Sequence, residues 1–387
     1  MHHSDLSYKT LSIDIEESLR KLTDEAGVHR LINKSRDWSK FKNQPTEGGW
    51  ITLEDIRSVI STKRPEPIPQ SFIIPEHYVL PDEDFHQYFL QKIIQLESNI
   101  HVLTGSPGKG KSTYLSYFCE ELKEHKIPYV RHHYFLSLDD RTNDRLSPRV
   151  VSEDLMAQIS SKYEIGDLNR YESENLNLAL KECGDFNKKN KIPFVVIIDG
   201  LDHVWRDNNK NKKPLDELFN QLIPTHDNVV LVIGTQPVNE AMLPDSLIRE
   251  CPKEEWDELP AMTGNAIKCY LDYQLKSNRL KYGFNEEIRG EVLSESAEAL
   301  TSITNGYPLH VIYSCEYLIS SGKGLSTYAI EQLPPCEDGK IETYYKSIWR
   351  TLNGPQKDIL HLCCDFKFLW PQNSFSDMLE ENPLNPP

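Results

Sequence analysis

Long apolar runs and signal-peptide features are missing from this sequence of 387 residues. The longest apolar runs, such as 194–198, are far too short to cross a bilayer, and the N-terminal MHHSDLSYKT lacks an apolar core. We therefore expect a cytoplasmic protein with no membrane partner. With 38% hydrophobic and 26% charged residues, the composition is typical of a globular chain of two or three domains.

Paired metal-ligand cysteines are also missing. The eight cysteines include no C-x-x-C pair, and the adjacent Cys363 and Cys364 suit neither a metal site nor a simple disulfide framework. We expect reduced thiols that serve mostly as small core residues.

Positive charge is in deficit, because the formal net charge is −16. This argues against a protein whose whole surface binds nucleic acid, since that binding depends on neutralising phosphates with Lys and Arg. Two basic stretches, KKNK at 188–191 and RDNNKNKK at 206–213, are candidates for a local basic groove. Solvated loop charge is the alternative, and it is favoured.

The most informative stretch that is present is 99–113, NIHVLTGSPGKGKST. Its first half is apolar and predicts a buried strand, and the TYLSYFCEELKEH that continues from it predicts a helix. Between the two, residues 105–112 satisfy G-x-x-x-x-G-K-[ST] in the strand, loop and helix context that this motif requires. Such a loop turns its backbone N–H groups toward phosphates, which explains Gly105, Gly108 and Gly110.

Each residue of this loop has an expected role. Lys111 would reach the β- and γ-phosphates, and the Ser112 hydroxyl would ligate Mg²⁺. An ordinary glycine-rich turn is the alternative, and the flanking strand and helix disfavour it. The predicted nucleotide contacts are Gly105, Ser106, Pro107, Gly108, Lys109, Gly110, Lys111, Ser112 and Thr113.

From residue 100 to about 259, short apolar runs alternate with helical stretches, a pattern that predicts an α/β domain with a largely parallel sheet. Ligands of such sheets bind beyond the carboxyl ends of the strands, and polar residues of this sequence fall at those ends. The predicted strands are 100–103, 129–136, 194–198, 229–233 and 255–259.

Candidate site residues follow two of these strands: catalytic residues after the first, which Lys111 of the loop joins in that role, and sensor residues after the second. Asp199 ends the run FVVIID, where a carboxylate beside the phosphate loop would hold Mg²⁺; a helix N-cap is its alternative role. Asp202 is placed to polarise the attacking water. Thr235 and Gln236 end the run VVLVIGTQ and are candidate sensors of the γ-phosphate, with a turn that makes no nucleotide contact as the alternative.

Four further residues have less specific patterns. Arg249 precedes the last strand, where a finger for a neighbouring subunit's phosphate would lie, but an exposed helix-end arginine is the favoured interpretation. In RHHYFL at 131–136, strand alternation places His132 and His133 on opposite faces. This disfavours a metal pair, and we expect structural roles for Arg131 and both histidines.

Residues 1–64 predict an N-terminal helical segment without visible chemistry, either an adaptor or the remnant of an effector. Prolines at 65, 67, 69, 75 and 81 predict an extended linker over 65–81, before a nucleotide-binding domain at 82–260. In many P-loop ATPases the segment before the domain lines the adenine pocket, so Tyr78 and Val79 are candidate base contacts. Simple packing of the linker is an equally supported alternative.

Beyond residue 260 the pattern predicts helices at 265–276, 286–303 and 309–321, followed by 341–352 and 356–366. Gly306 is expected to end one helix and Pro308 to start the next.

Together these residues resemble a STAND ATPase, the signal-transduction class of P-loop NTPases that includes NACHT and NB-ARC proteins. The P-loop, IDGLD, GTQP and the GYPL of 306–309 occur in the family's order within about 72–370. The resemblance implies an AAA+/STAND-type parallel sheet, a helical lid domain at 261–335 and a partial winged-helix domain at 336–387. It also implies that Pro308 contacts the nucleotide.

The two sequences IDGLDHVW and RHHYFL are most similar to those of bacterial antiviral STAND proteins. This similarity implies ATP or ADP with Mg²⁺ as cofactors, a nucleotide-dependent homo-oligomer such as a tetramer, and a protein trigger such as a phage protein. The resemblance implies an effector before this part and a sensor array after it, so we expect the core of a longer protein, with a natural short form as the alternative. Gln236 stands where many relatives have arginine, so γ-phosphate sensing by that route stays open.

The expected function is an ATP-hydrolysing signalling switch that couples target sensing to oligomerisation. Two other classes stay open. One is a module that holds a nucleotide without hydrolysing it, and the other is a nucleic-acid remodelling ATPase, which would need a basic face.

Overall fold

The computed structural model describes residues 67–70, 72–136, 145–163, 176–207, 211–282, 285–333, 345–346, 349–350 and 352–365. The helices predicted within 1–64, and most of the one at 341–352, lie outside these ranges. Within them, no helix combines the length and apolar character needed to cross a membrane. The chain groups into two compact units, and the described residues of the first lie within 67–74, 84–107 and 111–259.

The first unit is built on a parallel sheet of five strands. The strands are β1 (Ile100–Thr104), β2 (Tyr129–His133), β3 (Phe194–Asp199), β4 (Val229–Thr235) and β5 (Asp257–Glu258), in the order β2-β3-β4-β1-β5. Every residue of β3 and β4 is buried, as expected for central parallel strands covered on both faces. The predicted α/β class with a parallel sheet is confirmed.

Helices cover this sheet. The run after the glycine loop forms a helix whose Tyr114, Phe118 and Leu122, spaced i, i+4 and i+8, are fully buried. The helices of this part of the chain are α1 (Glu83–Ile94), α2 (Lys111–Glu124), α3 (Pro148–Lys162), α4 (Leu176–Lys188), α5 (Asp202–Asp207), α6 (Lys213–Leu222) and α7 (Asp245–Glu250).

Two strands are shorter than the sequence pattern predicted. The strand expected at 129–136 ends at His133, because its partner strand β3 ends at Asp199, the residue opposite His133. The Tyr134 N–H donates to the Asp199 carbonyl as the last bond between the two strands. The strand expected at 255–259 has only two residues, since a 3-10 turn over Lys253–Glu255 precedes it.

The second unit contains the helices predicted at 265–276, 286–303, 309–321 and 356–366. Its core includes Ile267, Leu271, Leu300, Val311 and Leu318, all fully buried. The elements are α8 (Gly264–Lys276), α9 (Arg289–Thr304), α10 (Pro308–Ser320), α11 (Thr327–Glu331), α12 (Gly354–Asp365), and the short parallel strands β6 (Lys281–Tyr282) and β7 (Gly324–Leu325).

The junction between α9 and α10 follows the predicted chemistry with one addition. Asn305 and Gly306 both adopt left-handed conformations, with φ of 50° and 66°, and Pro308 is the first residue of α10. The Gly306 carbonyl accepts a hydrogen bond from the Met262 N–H at 2.7 Å. A Cβ on Gly306 would lie 2.3 Å from the Met262 carbonyl oxygen, so only glycine fits this position.

Candidate functional site

The glycine loop has the backbone that its sequence predicts. Gly108 and Gly110 have φ of 84° and 86°, in the left-handed region that favours glycine. Added at Gly110, a Cβ would meet nothing within 4 Å, so the backbone conformation alone requires glycine there.

Lys111 is the first residue of α2 and its side chain folds back over the loop. The Lys111 ammonium donates to the carbonyl oxygen of Gly105 and, at 3.4 Å, to that of Ser106. A cationic group therefore lies against the loop that would enclose an anion, at the start of a helix whose N–H groups also favour negative charge.

Asp199 ends β3 on the same edge of the sheet, and its side chain is almost wholly buried at 2% exposure. Burial alone would raise the pKa of Asp199, but the hydrogen bond with His133, the nearby Ser112 hydroxyl and the charge on Lys111 outweigh it and lower the pKa below its usual value. The group is therefore a buried carboxylate ion, with the loop hydroxyl of Ser112 and the ammonium of Lys111 close enough to lower its pKa.

One oxygen of this carboxylate is unused. Asp199 Oδ2 lies 3.2 Å from His133 Nδ1, whereas Oδ1 is buried without a hydrogen-bond partner. An orphaned, ionised oxygen beside a serine hydroxyl fits a hard divalent cation such as Mg²⁺, which takes oxygen ligands. The residues that would hold it are Ser112 and Asp199.

Gly234 makes room for this oxygen from the neighbouring strand. In the sheet register Gly234 lies opposite Asp199, and a Cβ built on it would be 2.2 Å from Asp199 Oδ1. The glycine in VVLVIGT therefore has a steric reason that the sequence pattern did not reveal.

Asp202 lies on the turn that follows β3. Gly200, with φ of 85°, reverses the chain, and Asp202 begins α5 with 2% exposure. His203 Nε2 lies 4.0 Å from Asp202 Oδ2, and the His203 ring stacks on Phe135 with centroids 4.8 Å apart. The role of Asp202 in activating water stays a prediction.

The predicted sensor position also lies on this edge. Thr235 ends β4, pairs in register with Thr104 of β1 and is fully buried. Its hydroxyl donates to the Gln236 carbonyl at 3.2 Å. Sensing by Thr235 or Gln236 stays a prediction.

The other predicted contacts belong to other elements of the chain. Tyr78, Val79 and Pro308 belong to the second unit, where Val79 packs against the helical core and Pro308 starts α10. Their contacts with a base stay predictions. Arg249 lies in the last turn of α7 with a side chain that is 67% exposed, 3.2 Å from a Glu250 oxygen. Lys188, from the basic KKNK stretch, pairs with Asp227 at 2.8 Å.

The two histidines of β2 are the residues whose importance the sequence analysis missed. Both are fully buried, and each lies beside a different aspartate: His132 Nδ1 is 2.9 Å from Asp154 Oδ2, and His133 contacts Asp199. Over the described ranges, no group of three His, Cys, Asp or Glu side chains is placed to hold a metal ion. One feature of the sequence could have indicated this role: RHHYFL belongs to the predicted strand that comes just before FVVIID in the chain, and the two strands are neighbours in the sheet.

One comparison with known proteins, the family match, covers the residues of this site. Residues 99–279 match the family model of the NACHT domain, and no curated protein matches the chain. Among solved structures it is similar to the ORC2 protein of Aeropyrum pernix in ADPNP–ADP complexes (14% identity, 66% of this chain and 69% of that one, TM-score 0.38). It is also similar to the Walker-type ATPase PABY2304 of Pyrococcus abyssi (14% identity, 81% of this chain and 91% of that one, TM-score 0.44). By this match, residues 99–279, just under half of the chain, are similar to the NACHT domain, a nucleotide-binding module of the P-loop NTPase class.

Proposed function

We propose that this chain binds ATP together with Mg²⁺ at the loop of residues 105–113 and hydrolyses it slowly, as a regulatory switch. The observation that carries the proposal is the free, buried oxygen of Asp199, next to the Ser112 hydroxyl and within the field of Lys111. A buried carboxylate oxygen without a hydrogen-bond partner is costly, and a bound cation would supply the missing partner.

The residues of the chain divide the task between them. The loop N–H groups and Lys111 bind the phosphates, and Ser112 and Asp199 hold Mg²⁺, which would neutralise the charge that develops on the transferred phosphoryl group. Asp202, almost fully buried, accepts a proton from or orients the attacking water. Catalysis then consists mainly of positioning and charge neutralisation.

Removal of the loop cation tests the binding step. We expect Lys111→Ala to abolish ATP binding measured by calorimetry, because the β- and γ-phosphates lose their ammonium partner. The control is Lys123→Ala in the last turn of α2, which removes a lysine that is 72% exposed and pairs with Glu120, and which should still bind ATP. An unchanged ATP affinity in Lys111→Ala would defeat the assignment of this loop.

Replacement of the predicted base tests the chemical step. We expect Asp202→Asn to bind ATP normally but to release phosphate about 100-fold or more slowly, because the amide cannot take a proton. The measurement is a phosphate-release time course with purified protein. Wild-type release by the variant would remove Asp202 from the mechanism, and no release by the wild type would favour a module that holds its nucleotide without hydrolysis.

The switch is proposed to act through self-association in antiviral defence. This part rests on the resemblance of IDGLDHVW and RHHYFL to bacterial antiviral STAND proteins, in which a target such as a phage protein triggers assembly. Its test is the mass in solution, by light scattering, with ATP and with ADP. A single mass under both conditions, with and without a candidate trigger, would contradict it.

A further inference from the structure

The Asp199 carboxylate is held from one side by a histidine that the proposed function does not use. His133 ends β2, and its Nδ1 lies 3.2 Å from Asp199 Oδ2. Its other ring nitrogen, Nε2, is buried and has no hydrogen-bond partner. Because a carboxylate ion only accepts, the ring donates from Nδ1 to Asp199.

His133 is in turn held by the extended segment that precedes the domain. The Gln70 side-chain oxygen accepts from the His133 backbone N–H at 2.9 Å, and the Phe72 ring stacks on the imidazole with centroids 5.8 Å apart. Arg145 donates to the carbonyls of both His133 and Pro69 at 3.0 Å. Backbone and ring of His133 are thus both fixed by groups outside the sheet.

The segment itself is fastened to α3 at two points. The Ile68 N–H donates to Asp154 Oδ1 at 2.9 Å, and the Gln70 side-chain nitrogen donates to Asp154 Oδ2 at 2.6 Å. Gln70 is buried, which is unusual for a glutamine in a proline-rich stretch. This part of the predicted linker is therefore a fixed part of the first unit.

We infer that His133 is a positioning residue, which directs the free Asp199 oxygen by holding the other one, and that Gln70 and Phe72 make the extended segment part of this arrangement. The inference rests on the proposed function, because the direction of the oxygen matters when Asp199 receives Mg²⁺. Without His133, the carboxylate could rotate about its last bond and present either oxygen in either direction.

The test is the Mg²⁺ concentration that gives half of the maximal gain in affinity for a non-hydrolysable ATP analogue, measured by calorimetry. In His133→Ala we expect this concentration to rise about 10-fold, as for other residues that orient a metal ligand. Affinity for the analogue in EDTA should stay unchanged. The matched control is His101→Ala, which removes another buried strand histidine, one that contacts the Ser98 carbonyl instead.

Two amide variants of His133 distinguish a hydrogen bond that positions Asp199 from a side chain that only fills space. In His133→Asn the side-chain nitrogen takes the place of Nδ1, so we expect a Mg²⁺ requirement near that of the wild type. In His133→Gln the amide reaches the place of Nε2, and the requirement should rise as in the alanine variant. If His133→Ala fails to fold, this pair carries the test, and Gln70→Ala should show a smaller rise in the same direction.

The possible outcomes separate the two proposals. Two results would overturn the positioning role and leave the proposed function standing. In one, the gain in analogue affinity from Mg²⁺ is lost in Asp199→Asn, but His133→Ala needs no more Mg²⁺ than the wild type. In the other, His133→Asn and His133→Gln need the same Mg²⁺ concentration. Absence of any Mg²⁺ gain in the wild type overturns both.

Discussion

Two adjacent histidines of β2 form two buried histidine–aspartate pairs that differ in what remains free. Both oxygens of Asp154 are engaged, by the Ile68 N–H and by side chains that include His132 and Gln158. Asp199 has one oxygen beside His133 and one without a partner. A saturated buried carboxylate stabilises the fold, whereas one with a spare oxygen is available to a ligand.

The largest effect on stability should come from the saturated pair. We expect Asp154→Ala to lower the free energy of unfolding by about 3–5 kcal/mol, because it leaves several buried donors without an acceptor. The measurement is the urea midpoint of the first unit. Asp154→Asn, which keeps one acceptor oxygen, should lose less, and equal losses in the two variants would contradict this explanation.

A smaller effect is expected where Gly234 makes room for Asp199. In Gly234→Ala the new Cβ would lie 2.2 Å from Asp199 Oδ1 and 2.7 Å from Leu115 Cδ1, so both side chains must move. We expect a loss of about 1–3 kcal/mol in unfolding free energy, together with a weaker Mg²⁺ gain in nucleotide affinity. The control is Gly290→Ala in α9, where nothing lies within 4 Å of the added Cβ and stability should not fall.

The smallest effect on stability should come from Asp199→Asn, which keeps the shape of the side chain. The pKa of Asp199 is lowered in the fold, so its charge contributes stability that is present at neutral pH and lost as the pH falls below the usual 3.8. We therefore expect a modest destabilisation at pH 7, less than in Asp154→Asn, that shrinks in acid. Thermal melts over this pH range measure it, and a difference that grows in acid would refute the assignment of charge.

The sequence allowed prediction of those parts of the site whose chemistry is local. The phosphate loop is a run of consecutive residues, and Asp199 stands at the tip of a strand that is recognisable from its apolar run FVVIID. The junction at Gly306 and Pro308 followed for the same reason. Backbone constraints on glycine and proline act within a few residues, so a single sequence reveals them.

The support of the site could not be predicted in the same way. His133 and Asp199 are 66 positions apart, and Gln70 and Asp154 are 84 apart, so their contacts exist only after the strands have taken their order. Strand alternation placed the two histidines on opposite faces, but it gave no indication of which aspartate each would meet. The prolines of 65–81 likewise predicted an extended segment, but they did not indicate that Gln70 within it would be buried against α3.

The central claim is that the free oxygen of Asp199 receives Mg²⁺ with the nucleotide. Its most direct test is the affinity for a non-hydrolysable ATP analogue with and without Mg²⁺, in the wild type and in Asp199→Asn. We predict that Mg²⁺ raises the affinity of the wild type and not that of the variant, while the two bind equally in EDTA. An equal gain from Mg²⁺ in both proteins would contradict the claim.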